Sequence, residues 1–224
     1  MRIDLHIHTT LGSGDSLIEP DGLIEIAKNK DLNGVCLTEH GNQKPKGLEE
    51  LAKRHNFLII GGMEASTELG DILIFGLADF PRRLYRAVDI CRHVREKGGV
   101  MVVAHPFRPE LSPKPWSNPT PITIEDACQR KIMRLVDAIE VANGFSTEKD
   151  VNFALEVCSR LGIKGTGGSD AHAVQEIGLC ATIFENGIRS EDDMLAELRK
   201  GSFHAEDRRS DHQKGPIHPF SHRV

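Results

Sequence analysis

Apolar and polar positions alternate from the start of the chain: Ile3, Leu5 and Ile7 interleave with Asp4, His6 and His8, the period-two signature of a strand with two unlike faces. Leu23, Ile24 and Ala27 then recur at helical spacing through Lys30, with Pro20 near the helix start and Asn33-Gly34 ending it. The run Val35-Cys36-Leu37 predicts a buried strand. A second helix follows through Leu48, Leu51 and Ala52, and residues 57–60 and 72–75 predict two more strands. A long amphipathic helix is expected from Leu84, Ala87, Val88, Cys91 and Val94, stopped by Gly98-Gly99. Further strands are expected at 100–103, 138–141, 163–166 and 181–184. Helices over about 124–135, up to Leu161, and from Ser190 with Asp193 in a capping-box position separate or follow them.

Strand and helix alternate about seven times with short connections, which predicts a single domain over residues 1–201 built on a parallel sheet. Metal-ligating residue types fall repeatedly where a predicted strand ends: Glu39-His40, Glu64, His105, and Asp170 with His172. Parallel barrels gather their active sites at such ends. A closed or distorted barrel therefore explains the pattern better than an open doubly wound sheet, whose outer strands would hold their ligands apart. Residues 106–121 carry six of the eleven prolines and the only tryptophan, Trp116, and read as an irregular loop and candidate lid. From Ser202 the chain turns polar, with His204, His212, His218 and His222 at no ligand spacing. Residues 202–224 read as a polar, flexible C-terminal tail.

Composition narrows the chemistry. A length of 224 residues suits one domain with a substantial core. The net charge of −5 argues against a generally basic nucleic-acid surface. Five cysteines without a C-x-x-C suggest neither a disulfide framework nor a thiolate zinc site. No stretch approaches the roughly 18 apolar residues of a membrane span and no apolar leader precedes the first strand, so a cytoplasmic location is expected.

What remains is a surplus of imidazoles and carboxylates, more than one ion needs, so more than one divalent cation is expected. Nitrogen and oxygen donors suit Zn, Mn or Fe. Adjacent cations bridged by hydroxide supply a nucleophile at neutral pH and neutralise both the attacking and leaving oxygens of a phosphate ester. Phosphoester hydrolysis follows as the expected reaction. No G-x-S-x-G elbow, G-x-x-x-x-G-K-[ST] loop or G-x-G-x-x-G turn competes with it. Gly12-Ser13-Gly14 reads as the turn presenting Asp15. Arg108, just past His105, either binds a phosphate oxygen or covers the barrel mouth.

Asp-Leu-His-Ile-His-Thr-Thr at 4–10 with Asp15, Thr-Glu-His at 38–40, Gly-Gly-Met-Glu at 61–64, Ala-His-Pro-Phe-Arg at 104–108 and Gly-Ser-Asp-Ala-His at 168–172 resemble, in this order, the motifs of the PHP (polymerase and histidinol phosphatase) superfamily. The resemblance implies an α/β fold, a distorted seven-stranded (β/α)7 TIM-like barrel, with two or three divalent metals and phosphoesterase activity. Carried over by motif, His6, His8, His40, Glu64, His105, Asp170 and His172 would be ligands, with Asp15 for a third metal. Asp170, His172 and Arg108 would act in catalysis. Two positions depart from the pattern: Glu39 replaces the usual aspartate, and Glu140 stands where a histidine is often found. Glu140, Asp4 and Glu39 are each either third-metal ligands or partners of the ligands. The expected substrate is a small phosphorylated metabolite or nucleotide, because the acidic chain offers no basic track for a nucleic acid strand. A PHP-type nuclease, an amidohydrolase-like hydrolase and a non-catalytic metal-binding module are the alternatives; the second usually needs a strand-end lysine that this chain lacks.

Overall fold

Period-two and helical runs alternate through the chain, and each buries its apolar side against a neighbour. The computed structural model of the protein describes residues 1–111 and 121–209. Among these, strands β1 (Arg2–Ile7), β2 (Gly34–His40), β3 (Leu58–Thr67), β4 (Gly70–Phe75), β5 (Val100–Val103), β6 (Ala138–Asn143), β7 (Lys164–Gly168), β8 (Cys180–Phe184) and β9 (Phe203–Asp207) form one sheet. Its order is β7-β6-β5-β4-β3-β2-β1-β8-β9. Just past β7, the Asp170 amide donates to the His6 carbonyl at 2.7 Å and the His8 amide to the Ala171 carbonyl at 3.0 Å. These bonds bring the β7 end of the sheet back to β1 and nearly close a barrel, the expected distorted architecture.

The sheet is not wholly parallel. β4 runs antiparallel to both β3 and β5, β8 to β1, and β9 to β8. For β4 the reason is local: only Glu68 and Leu69 connect β3 to β4, and a parallel crossover needs a dozen residues or more.

Helices α1 (Pro20–Asn29), α2 (Leu48–His55), α3 (Ala87–Glu96), α4 (Arg108–Leu111), α5 (Ile124–Gln129), α6 (Glu148–Leu161) and α7 (Glu191–Lys200) fill the connections. The helix expected over 124–135 is shorter, ending at Gln129 before a 3-10 turn over Lys131–Arg134. Ile72, Ile74, Met101 and Val103 pack with Ile90, Val94 and Val157 of α3 and α6. The alternate residues Leu73, Phe75, Val100 and Val102 join Ile3, Leu5 and Cys36 against Met194, Leu195 and Leu198 of α7. Leu195 lies against Gly76, immediately after β4, so α7 closes the barrel end opposite to the C-termini of the parallel strands.

Strand β9 lies beyond the expected domain boundary at 201. Its composition is polar, but Phe203 is buried and the strand pairs with β8 from Cys180↔Asp207 to Phe184↔Phe203. Arg2 also grips Glu206 through Nε at 2.5 Å and Nη2 at 2.9 Å. Residues 210–224, with His212, His218 and His222, lie outside the described residues, as does the 112–120 part of the candidate lid. No helix among the described residues is long and apolar enough to cross a membrane.

Candidate metal centre

Strand β1 sets the centre, and a bulge adjusts it. Asp4 pairs with Val35 but Ile7 with Leu37, so β1 advances three residues while β2 advances two, an inserted residue that re-aims side chains. Strict alternation from Asp4 to His8 is thereby broken. Asp4 leaves the histidines and accepts from the amides of Ser169 (2.8 Å), Gly178 (3.0 Å) and His6 (3.2 Å). The expectation of one face carrying Asp4, His6 and His8 is corrected: only the two imidazoles converge, with Nε2 atoms 3.1 Å apart.

Around them stand the residues from the other strand ends. Three sets have ligand atoms mutually within 4.8 Å: His6, Glu64 and His105; His8, His40 and His172; and His6, His8 and Asp170. Glu64, at the point where β3 passes the C-terminus of β2, faces both of the first two sets. Its Oε1 lies 3.2 Å from His105 and 3.5 Å from His6, and its Oε2 lies 3.0 Å from His40 and 3.2 Å from His8. Asp170 Oδ1 sits 3.4 Å from Nε2 of both His6 and His8. Asp15 closes the outer side, its Oδ2 at 3.2 Å from His40 and 3.4 Å from His172. The His8 ring stacks between those of His40 and His172, at centroid distances of 4.2 and 4.3 Å.

A layer of partners fixes these rings. Glu140 Oε1 accepts from His6 Nδ1 at 2.9 Å, while its Oε2 accepts from the His105 amide and from Asn143 Nδ2, both at 2.9 Å. Glu140 and Asp4 thus touch ligand-bearing residues without joining a ligand set. Glu39 does the same, accepting from Thr9 and from Ser13 Oγ. Ser13 Oγ in turn lies 3.0 Å from His8 Nδ1. Arg108 Nη2 donates to Asp170 Oδ2 at 2.8 Å and to Asn143 Oδ1 at 2.5 Å. Ser13 and Asn143 were not among the expected site residues: a serine between glycines reads as a turn, and an asparagine three residues past Glu140 carries no ligand signal. His105 and Asp170 hold positive φ values of 30° and 56°, strained for non-glycine residues and characteristic of positions held by their surroundings.

The donor set suits cations. With Nδ1 of His6 donating to Glu140 and Nδ1 of His172 donating to the Asp170 carbonyl (2.9 Å), the Nε2 lone pairs turn inward. The Nε2 atoms of His6 and His8, 3.1 Å apart beside the buried carboxylates of Glu64 and Asp170, form a site that suits a positive charge. Burial disfavours the His6 imidazolium, yet Glu140, Asp170 and Glu64 outweigh it and hold its pKa well above the ordinary value. Burial also opposes ionisation of Glu64 and Asp170, but the surrounding imidazoles, joined at Asp170 by Arg108, hold both well below the carboxylate range. His40 is pushed up to about 9, chiefly by its hydrogen bond to Glu64. These His, Glu and Asp groups are able to hold metal ions in place of the protons.

Comparison with known proteins bears on the same residues. The PHP domain model matches residues 4–113 and the PHP-associated model residues 149–203. An uncharacterised protein of Methanocaldococcus jannaschii is 33% identical over 121 residues, 49% of this chain and 70% of that one. A protein of Caldicellulosiruptor saccharolyticus named a probable phosphatase is 23% identical over 215 residues, covering 80% and 84% of the two chains. Two crystal structures share the fold. One is a two-domain Bacteroides vulgatus protein described as containing a predicted PHP-like metal-dependent phosphoesterase, with TM-score 0.68, 20% identity and coverage of 92% and 64%. The other is a lesion-specific endonuclease from Pyrococcus furiosus, with TM-score 0.58, 17% identity and coverage of 91% and 57%. The matched segments carry all five motifs between them, and the chain belongs to the PHP family.

Proposed function

We propose that the protein is a metal-dependent phosphoesterase that hydrolyses a phosphate ester of a small metabolite or nucleotide. The observation that carries this reading is the two-sided engagement of Glu64, one oxygen toward His6 and His105 and the other toward His8 and His40. Such a carboxylate suits two neighbouring cations. His6, Glu64 and His105 would hold one, His8, His40 and His172 a second, with Asp170 reaching both sides. Asp15, between His40 and His172 on the outer side, would serve a third. Divalent ions such as Zn, Mn or Fe, once bound, activate water at neutral pH and neutralise phosphate charge.

The chain's own residues supply orientation. Asn143 and Asp170 hold Arg108 at the edge of the centre, and its Nε is buried with no hydrogen-bond partner among the described residues. A phosphate oxygen is the acceptor that this donor lacks, and the planar guanidinium suits it. The Asp170 carbonyl fixes the His172 ring through Nδ1, leaving Nε2 toward the site. The acidic chain favours a small substrate over a nucleic acid strand, and the relative named a phosphatase supports phosphomonoester chemistry.

Elemental analysis coupled to phosphate release from nucleotides and sugar phosphates, with and without Mn, tests the reading. Two or three metals per chain and metal-dependent release are expected. Replacing His8 with Ala should abolish turnover and deplete metal while the barrel stays folded; undiminished activity in that variant would sink the assignment. Cleavage of a damaged DNA strand with no release from the panel would transfer the reading to a nuclease.

A further inference from the structure

We propose that Ser13 and Glu39 are positioning residues for His8, a hydroxyl–carboxylate relay that fixes the imidazole proton on Nδ1 and commits Nε2 to the cation. The inference rests on the reading of His8 as a ligand.

A hydroxyl has one proton to donate and two lone pairs, and all three are accounted for. Ser13 Oγ donates to Glu39 Oε2 at 2.5 Å, the carboxylate being the strongest acceptor within reach. One lone pair takes the His40 amide at 3.2 Å, and the other faces His8 Nδ1 at 3.0 Å. Toward His8 the serine can therefore only accept, so Nδ1 carries the hydrogen and Nε2 presents a lone pair. His8, Ser13 and Glu39 are all buried, at 0%, 2% and 2% exposure, which keeps solvent from exchanging these roles.

The relay is built in from several sides. Thr9 anchors Glu39 through its amide, at 3.0 Å from Oε2, and through its hydroxyl on Oε1. Gly12 lies so close over Glu39 that a Cβ there would sit 2.8 Å from Glu39 Cβ. The same serine takes the His40 amide, so one hydroxyl fixes the His8 ring and the backbone of the residue whose ring stacks on it. Glu140 performs the corresponding task for His6 directly. At His8 the carboxylate is displaced by one residue and acts through the hydroxyl.

Ring nitrogen shifts in ¹⁵N-labelled protein report the tautomer directly, and competition with a chromophoric chelator reports Zn affinity without any substrate. In the parent, His8 is expected to hold its proton on Nδ1 and ligate Zn through Nε2. Ser13→Ala should lower Zn affinity by about 10–100-fold, as loss of such partners typically does, and release the tautomer to a mixture. Ser13→Thr keeps the hydroxyl and should preserve the Nδ1 proton. A parent that ligates Zn through His8 Nδ1, or a Ser13→Ala protein with parental affinity and tautomer, overturns the relay alone. A parent that takes up no Zn overturns the metal-centre reading along with it. The parental spectrum decides even if the variants fail to fold.

Discussion

Arg108 shows how a single residue divides its donors. Nη2 is committed to Asp170 and Asn143 while Nε has no partner among the described residues, so Arg108→Ala should raise KM by about 10- to 150-fold, the ratio that corresponds to the roughly 1.5–3 kcal/mol of a charge-assisted hydrogen bond, with metal content unchanged. Loss of metal in that variant would instead make the arginine a holder of Asp170. Lys at this position should not restore KM, because an ammonium lacks the planar fork. Most residues that meet at the centre were legible because they follow an apolar run at a strand end, His6 and His8 because they alternate with apolar residues on the first strand, and Asp15 because a glycine-rich turn presents it. Asp4 was misread because period two assumes an unbroken strand, and the inserted residue of β1 is invisible in composition. Glu140 was named with two roles open; the fold brings its carboxylate to 2.9 Å from His6 Nδ1, a contact that the sequence alone does not show. Ser13 carried no signal at all, since a turn serine looks the same whether or not a carboxylate waits behind it.

Among the elements, β7 is the one whose backbone decides the site. A Cβ on Gly168 would lie 2.5 Å from His6 Cβ and 2.9 Å from Glu140 Oε1. Gly168→Ala should therefore cost about 1–3 kcal/mol by overpacking and weaken Zn uptake by prising His6 from Glu140. Thermal unfolding of the metal-free protein and a chelator titration check the two effects separately; parental values in both would show that β7 can shift to make room. Most elements were readable from apolar spacing, whereas their directions were not all so. The strands expected at 57–60 and 72–75 left eleven residues between them; the structure extends β3 to Thr67 and starts β4 at Gly70, and the two-residue connection that results excludes a parallel crossover. Strand β9 was hidden by its polar residues, although Phe203 and Ala205 alternate with His204 and Glu206 as a half-buried strand requires.

At the scale of the whole molecule, a metal held through His40 would make its own uptake depend on pH. In the metal-free protein His40 is raised from 6.5 to about 9, so its proton stabilises the fold fully below about pH 6.5 and that contribution is lost as pH rises through about 9. A cation entering between those limits must displace the proton. Zn affinity should thus climb with pH up to about 9, and calorimetry in buffers of different ionisation enthalpy should register proton release. Affinity that stays flat across this range would contradict the assignment of His40. The closure of the barrel has a further consequence during synthesis. Residues from 6 to 172 meet at one point, and the His8 amide is held by the Ala171 carbonyl. A nascent chain that has emerged only through β6 carries five of the seven proposed ligand side chains on a sheet whose first strand still lacks one neighbour. Productive metal loading must therefore wait until the last third of the chain has left the ribosome, and a product truncated there would expose imidazoles able to capture metal but no assembled centre in which to use it.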